Sequence, residues 1–228
     1  MDGTMMKRRQ IVTAAAGLAL ALMAGAARGE SMNALSLHQA AAANDVQRIE
    51  ALLADGVPID GRDGNGATAL LVATHGNRIE AAAALIAAGA DVNAKDGIND
   101  SPYLYAGARG HLDILNLTLA HGADLASVNR YGGTALIPAA ERGHVDTVRR
   151  LIEAGVAVDH VNRLGWTALI EAVILGDGGE RHQQIVALLL EAGAEPDLAD
   201  ADGVTPLQHA RARGFDAIAA LLEDAGAH

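Results

Sequence analysis

Thr68, Ser101, Thr134 and Thr167 stand 33 residues apart, and Thr205 follows 38 residues after Thr167. A fixed period of this length makes the chain an array of one small supersecondary unit. Such a unit cannot bury its apolar face alone and must stack on its neighbours. The turn-forming residues keep the same beat. Two residues before each hydroxyl stand Gly66, Asn99, Gly132, Gly165 and Gly203, types that accept the positive φ of a tight turn. Nine residues after it, counting from Leu35 in the first unit, come Asn44, Asn77, Gly110, Gly143, Gly176 and Gly214. Twenty-one residues after it come Gly56, Gly89, Gly122, Gly155 and Gly226, with Gly193 in register once five inserted residues are discounted. These positions fit left-handed caps just past helix ends. Pro102 and Pro206 directly follow Ser101 and Thr205. There the first helical residue accepts proline and the hydroxyl before it serves as N-cap. Each unit reads as turn, short helix, Gly/Asn break, second helix and Gly stop.

Thr-Ala-Leu heads the units at Thr68, Thr134 and Thr167, and Thr-Pro-Leu heads the one at Thr205. With the period of 33, this pattern resembles the ankyrin repeat, from Leu35 to the C-terminus. The resemblance implies an all-α solenoid of about six helix-turn-helix units with short β-hairpin loops. The units are 35–67, 68–100, 101–133, 134–166, 167–204 and 205–228. It also implies that His38, in the histidine place of the family's T-P-L-H motif, bonds neighbouring backbone. Composition agrees. Half the residues are apolar, much of that alanine, while aromatics are only 2%. Thin helices packed closely side by side suit such a chain better than one core of large side chains.

Three departures from the pattern carry expectations of their own. Tyr103 replaces the core leucine of its unit and is expected to pack there with its hydroxyl at the edge. Five residues are inserted within Asp177–His182, at the turn between the two helices of the fifth unit. Arg48 and Glu223 place charges where other units carry apolar residues, as the uncovered faces of terminal repeats require.

The N-terminus is a different object. Lys7, Arg8 and Arg9 precede an apolar run from Ile11 to Ala27, and small residues follow at Ala24-Gly25-Ala26 and Ala27-Arg28-Gly29. Residues 1–29 therefore read as a cleaved secretory signal, ahead of a repeat domain at 30–228. The apolar run is short for a retained membrane anchor. Arg8-Arg9 leaves both the general secretory (Sec) and the twin-arginine (Tat) route open. A periplasmic or secreted monomer with no stable membrane insertion is expected. Removing residues 1–29 takes away four basic residues and one acidic one, leaving 13 Lys and Arg against 27 Asp and Glu, a net charge of −14. Such a surface repels phosphate backbones, so nucleic acid is excluded as a partner class.

No catalytic signature stands in the chain: no G-x-S-x-G, no H-E-x-x-H, no phosphate-binding glycine loop. The absence of cysteine removes thiolate sites and thiol nucleophiles. No cofactor and no catalytic residue is assigned. One alternative to a binding role is a metal-dependent accessory or enzyme built on the 177–182 loop, where Asp177, Glu180 and His182 could ligate a divalent cation. The binding reading has more residues behind it. In ankyrin proteins the partner contacts the hairpin tips and the open side of the inner helices. Those positions here hold Ile98, Asp100, Arg130, Tyr131, Arg163, Leu164 and Trp166 on the tips. On the inner helices they hold His75, Arg109, Glu141, Arg142, Ile174 and Leu175. Trp, Tyr and Arg are over-represented at binding hot spots. Arg130, Tyr131, Arg163 and Trp166 are therefore expected to form one patch. The chain is similar to secreted bacterial ankyrin proteins associated with catalase and peroxide resistance, which makes catalase a candidate protein partner.

Overall fold

The computed structural model describes residues 36–228; the signal-peptide reading of residues 1–29 lies outside the described residues. Among the described residues twelve helices pair into six units. The first unit has α1 (36–43) and α2 (Val46–Ala54), the second α3 (Ala69–His75) and α4 (Ile79–Ala87). The third has α5 (Pro102–Arg109) and α6 (Leu112–Ala120), the fourth α7 (Leu136–Glu141) and α8 (Val145–Ala154). The fifth has α9 (Ala168–Ile174) and α10 (Glu180–Glu191), the sixth α11 (Pro206–Ala212) and α12 (Asp216–Asp224). Odd-numbered helices stack on odd and even on even, so α2 to α12 pack within their own unit or against the next. No described helix is long and apolar enough to cross a membrane.

One continuous core runs along the array. Leu37, Ile49, Leu70, Leu85, Leu104, Leu115, Leu136, Leu151, Leu169, Ile185, Leu189, Leu207 and Leu222 are buried in a single cluster, each unit contributing its share. Full burial of such a side chain stabilises by roughly 1.5–3 kcal/mol. Small residues line the seams between inner helices. A Cβ built on Gly107 would lie 2.7 Å from the Cβ of Ala135 in the next unit, closer than two carbons can approach. Thin helices are a condition of the stacking.

Local bonding follows the repeat. Thr68, Ser101, Thr167 and Thr205 each accept a hydrogen bond from the backbone N–H three residues on, as N-caps do. Thr134 does not: its hydroxyl is buried with no partner among the described residues. Pro138 gives the reason. In the other units the residue four past the hydroxyl donates to its carbonyl, as in Val72 to Thr68 and Glu171 to Thr167. Proline has no N–H to give, and α7 starts a residue late, at Leu136.

The hairpins are tighter than their name. The described residues hold no β-strand, only an isolated bridge between Arg62 and Thr68. Each tip closes on an Asp or Asn five residues before the unit's hydroxyl: Asp63, Asp96, Asn129, Asn162 and Asp200. In each, Oδ1 accepts the backbone N–H groups two and four residues on, at 2.8–3.1 Å. Neighbouring units are then stitched together. Arg163 N donates to the Tyr131 carbonyl at 2.9 Å, and His38 Nε2 donates to Ala67 O at 2.8 Å, as the family motif implies.

Two expectations need correcting. The Tyr103 hydroxyl is not at an edge. The whole side chain is inaccessible and the hydroxyl has no hydrogen-bond partner among the described residues. Gly176 is not the left-handed cap of α9. Gly178 takes that conformation, at φ 71°, because the inserted residues carry the break two positions downstream. Gly176 is required for a different reason, since a Cβ there would lie 2.1 Å from the Ala172 carbonyl oxygen. At the C-terminal end Glu223 is exposed and pairs with Arg211 at 2.6 Å, consistent with an uncovered face.

Candidate partner-binding groove

The inner helices α5, α7 and α9 and the tips at 129–133 and 162–166 enclose a groove of about 350 Å³ on one side of units three to five. Its walls gather Tyr105, Tyr131 and Trp166 with Leu104, Ile137, Pro138, Leu164 and Leu175. Its charges are Asp100, Glu141 and Glu171 against Arg109, Arg130 and Arg142. Tyr131 and Leu164 are 55% and 51% exposed, so two large apolar surfaces already stand at its mouth. Trp166 is partly buried along the wall.

Nine of the thirteen tip and inner-helix positions marked for partner contact therefore meet here: Asp100, Arg109, Arg130, Tyr131, Glu141, Arg142, Leu164, Trp166 and Leu175. Ile98, His75, Arg163 and Ile174 do not line it. Ile98 stands 53% exposed on the preceding tip. His75 stacks on Tyr105 with ring centroids 4.3 Å apart, backing the groove from outside. Burial holds its pKa below that of a free histidine. Arg163 is a brace. Its Nη1 donates to the Arg130 carbonyl at 2.8 Å, and its stem lies where a Cβ on Gly132 would be. The expected patch of four large side chains thus keeps Arg130, Tyr131 and Trp166 on the groove and spends Arg163 on holding two tips together.

The arginines on the groove are themselves positioned. Arg130 lies 3.5 Å from Asp100 and 5.0 Å from the centroid of the Tyr131 ring. Arg142 donates to the Ala108 carbonyl at 2.6 Å, across to the preceding unit. Arg109 lies over the Tyr105 ring at 5.4 Å. Burial raises the Asp100 carboxyl above the usual range, against the opposing pull of Arg130.

Glu171 was not among the sequence-derived candidates, and it is the most unusual group in the groove. Only 6% of it is exposed. Its pKa is raised to about 7, by burial first and then by the Glu141 carboxylate; a hydrogen bond from Asn162 and the charge of Arg142 pull the other way. Asn162 Nδ2 donates to Glu171 Oε1 at 2.8 Å, while Asn162 Oδ1 holds the Trp166 N–H at 3.1 Å. One amide thus fixes both the tip and the carboxyl. The sixth unit repeats the arrangement with polarity reversed, as His209 Nε2 lies 2.7 Å from Asp200 Oδ2. The signal was in the sequence: a Glu four past the hydroxyl, where other units have Val72, Tyr105, Pro138 and His209.

The 177–182 insertion is built differently from a mobile loop. Its second half is the first turn of α10, and His182 is buried. His182 Nδ1 lies 2.7 Å from Asp177 Oδ1, and its Nε2 donates to the Glu141 carbonyl at 3.0 Å. The ring rests against Gly143 and Gly176 much as His144 rests against Gly110 one unit earlier. His182 thus fills the place that Gly179, the N-cap of α10, has no side chain to fill. Among the described residues no three His, Asp or Glu side chains are grouped to hold a metal.

Family models for ankyrin repeats match residues 37–86 and, in three copies, 103–200. The crystal structure of an ankyrin repeat domain from Acinetobacter baumannii AYE is 68% identical, with a TM-score of 0.82, covering 84% of this chain and 98% of that one. A second crystallised ankyrin repeat protein is 45% identical with a TM-score of 0.80, covering 83% of this chain and 97% of that one. The human ASB11 ankyrin repeat domain is 30% identical with a TM-score of 0.72 and 84% of each chain covered. The ankyrin repeat protein YahD of Escherichia coli K12 is 59% identical over 56 residues, which are 25% of this chain and 28% of that protein.

Proposed function

On the premise that the chain belongs to the ankyrin repeat family, we propose that it is a non-catalytic module that binds a protein through the groove of units three to five. The observation that carries this reading is the meeting of Arg109, Arg130, Tyr131, Arg142, Leu164 and Trp166 on one concavity, with Tyr131 and Leu164 exposed at its mouth. Large aromatics beside arginine are the composition of interface centres. An exposed apolar patch bordered by polar groups marks a contact surface rather than a solvated face. The reading of residues 1–29 as an export signal supports assigning this binding to the periplasm or to the outside of the cell. Catalase is the candidate partner that resemblance to secreted bacterial relatives supplies. The experiment is affinity capture from periplasmic extract with the wild-type chain and with Trp166→Ala. Trp166→Ala should lose the retained partner by tenfold or more while keeping its helical signal. Equal capture by both proteins removes the groove from the interface. N-terminal sequencing of the native protein should start between Ala27 and Glu30, and an intact Met1 would end the export reading.

A further inference from the structure

Five of the six charged side chains on the groove have partners or open water. Asp100 faces Arg130 at 3.5 Å, Glu141 lies 3.9 Å from Arg142, and Arg142 is also tied to the Ala108 carbonyl. Arg109 is exposed over Tyr105. Glu171 is the sixth, with more than nine-tenths of its surface buried. One oxygen accepts from Asn162, and among the described residues no second donor and no salt-bridging cation reaches it. A carboxylate offers about four acceptor sites, and burying its charge without a counterion is costly. The wall beside it points the same way. Trp166 is held by the same Asn162, and aromatic faces attract cations. Tyr131 and Tyr105 each carry an arginine on or near the ring; Trp166 carries none among the described residues.

Resting on the groove reading above, we propose that this site receives a basic side chain of the partner, an arginine or lysine whose cationic head meets Glu171 and whose stem lies along Trp166. The volume of about 350 Å³ is within the ~300–1,000 Å³ range of clefts that enclose small groups. An acidic partner residue has less to gain, because Arg130 and Arg142 are already engaged and Arg109 is exposed to water, where an ion pair is worth little.

The chain's single tryptophan is its own reporter. The full chain is titrated, with Trp166 fluorescence as readout, against acetyl-Leu-Arg-Leu-amide and against the same peptide with citrulline or glutamate at the centre. The arginine peptide should saturate at least tenfold more tightly than the citrulline one, which has the same shape and no charge. Glu171→Gln should abolish that difference, while Glu223→Gln, at the far end of the array, should leave it intact. Equal affinity for arginine and citrulline, no saturable change with the arginine peptide, or tightest binding of the glutamate peptide each overturns the proposal. The two readings fail separately. A native partner whose capture depends on Trp166 but is indifferent to Glu171→Gln refutes the cation subsite alone. Capture indifferent to both refutes the groove.

Discussion

Glu171→Gln should stabilise the protein at pH 8 and do little at pH 5. Burial and the neighbouring Glu141 carboxylate raise the Glu171 pKa from 4.5 to about 7, and neither Arg142 nor the Asn162 amide cancels that. A carboxyl whose folded pKa is raised holds its proton more tightly in the folded state. Its contribution to stability is therefore fully present below the unfolded value and is lost as pH rises through about 7. At about 1.36 kcal/mol per pKa unit, the wild-type chain gives up about 3 kcal/mol across that window. Glutamine keeps an Oε1 to accept from Asn162 and never ionises. Groups that both proteins share, such as His75, His111 and His144, titrate alike and cancel in the comparison. For a domain of this size each kcal/mol moves the melting temperature by about 2–4 °C. Thermal melts should then separate the two proteins by roughly 6–12 °C at pH 8 and bring them nearly together at pH 5. A gap that is the same at both pH values, or a wild-type chain that melts higher at pH 8, refutes the assignment of Glu171 as a buried, uncompensated charge.

Tyr103→Phe removes a buried hydroxyl that has no partner, and should raise stability by about 1 kcal/mol or more in urea unfolding. His182→Ala empties the space against Gly143 and Gly176 and breaks the contacts to Asp177 and Glu141, costing about 2–4 kcal/mol by the same measurement. A chelator should leave the wild-type melt unchanged, as befits a packing histidine. Gly165→Val puts a β-branched residue at φ 80°, with its Cβ 2.9 Å from that of Ala201. A loss of roughly 1–3 kcal/mol is expected, and an unchanged denaturant midpoint would refute the turn.

The repeat was legible because its markers are backbone requirements, and these depend only on nearby residues. Asn99, Gly132, Gly165 and Gly203 adopt positive φ where the period puts them. The insertion defeated the same counting, since left-handed geometry belongs to whichever residue ends up at the break; that is Gly178, not Gly176. Thr134 looked like its sister residues, and only the N–H missing from Pro138 sets it apart. The groove was half legible. Tips and inner helices named its rim, but its floor required knowing that Glu171 turns inward to Asn162. Arg163 was misplaced because a long side chain on a tip can reach solvent or its neighbour's backbone, and spacing does not distinguish the two. Tyr103 shows the same limit from the inside, as nothing local says where its hydroxyl ends.

Among the described residues the main packing contacts of α2 to α12 lie within their own unit or against the next, so the ends of the array are linked through the units between them. Melting in such an array can begin at either end and travel inward as a boundary. The groove draws on three consecutive units, with Tyr105 on α5, Glu141 on α7 and Glu171 on α9. Anything seated in it spans two seams at once and makes those units open together or not at all. Occupancy would then be written in amide exchange rather than in shape. Protection would deepen from α5 through α9, while α1, α2, α11 and α12 went on fraying at their former rate.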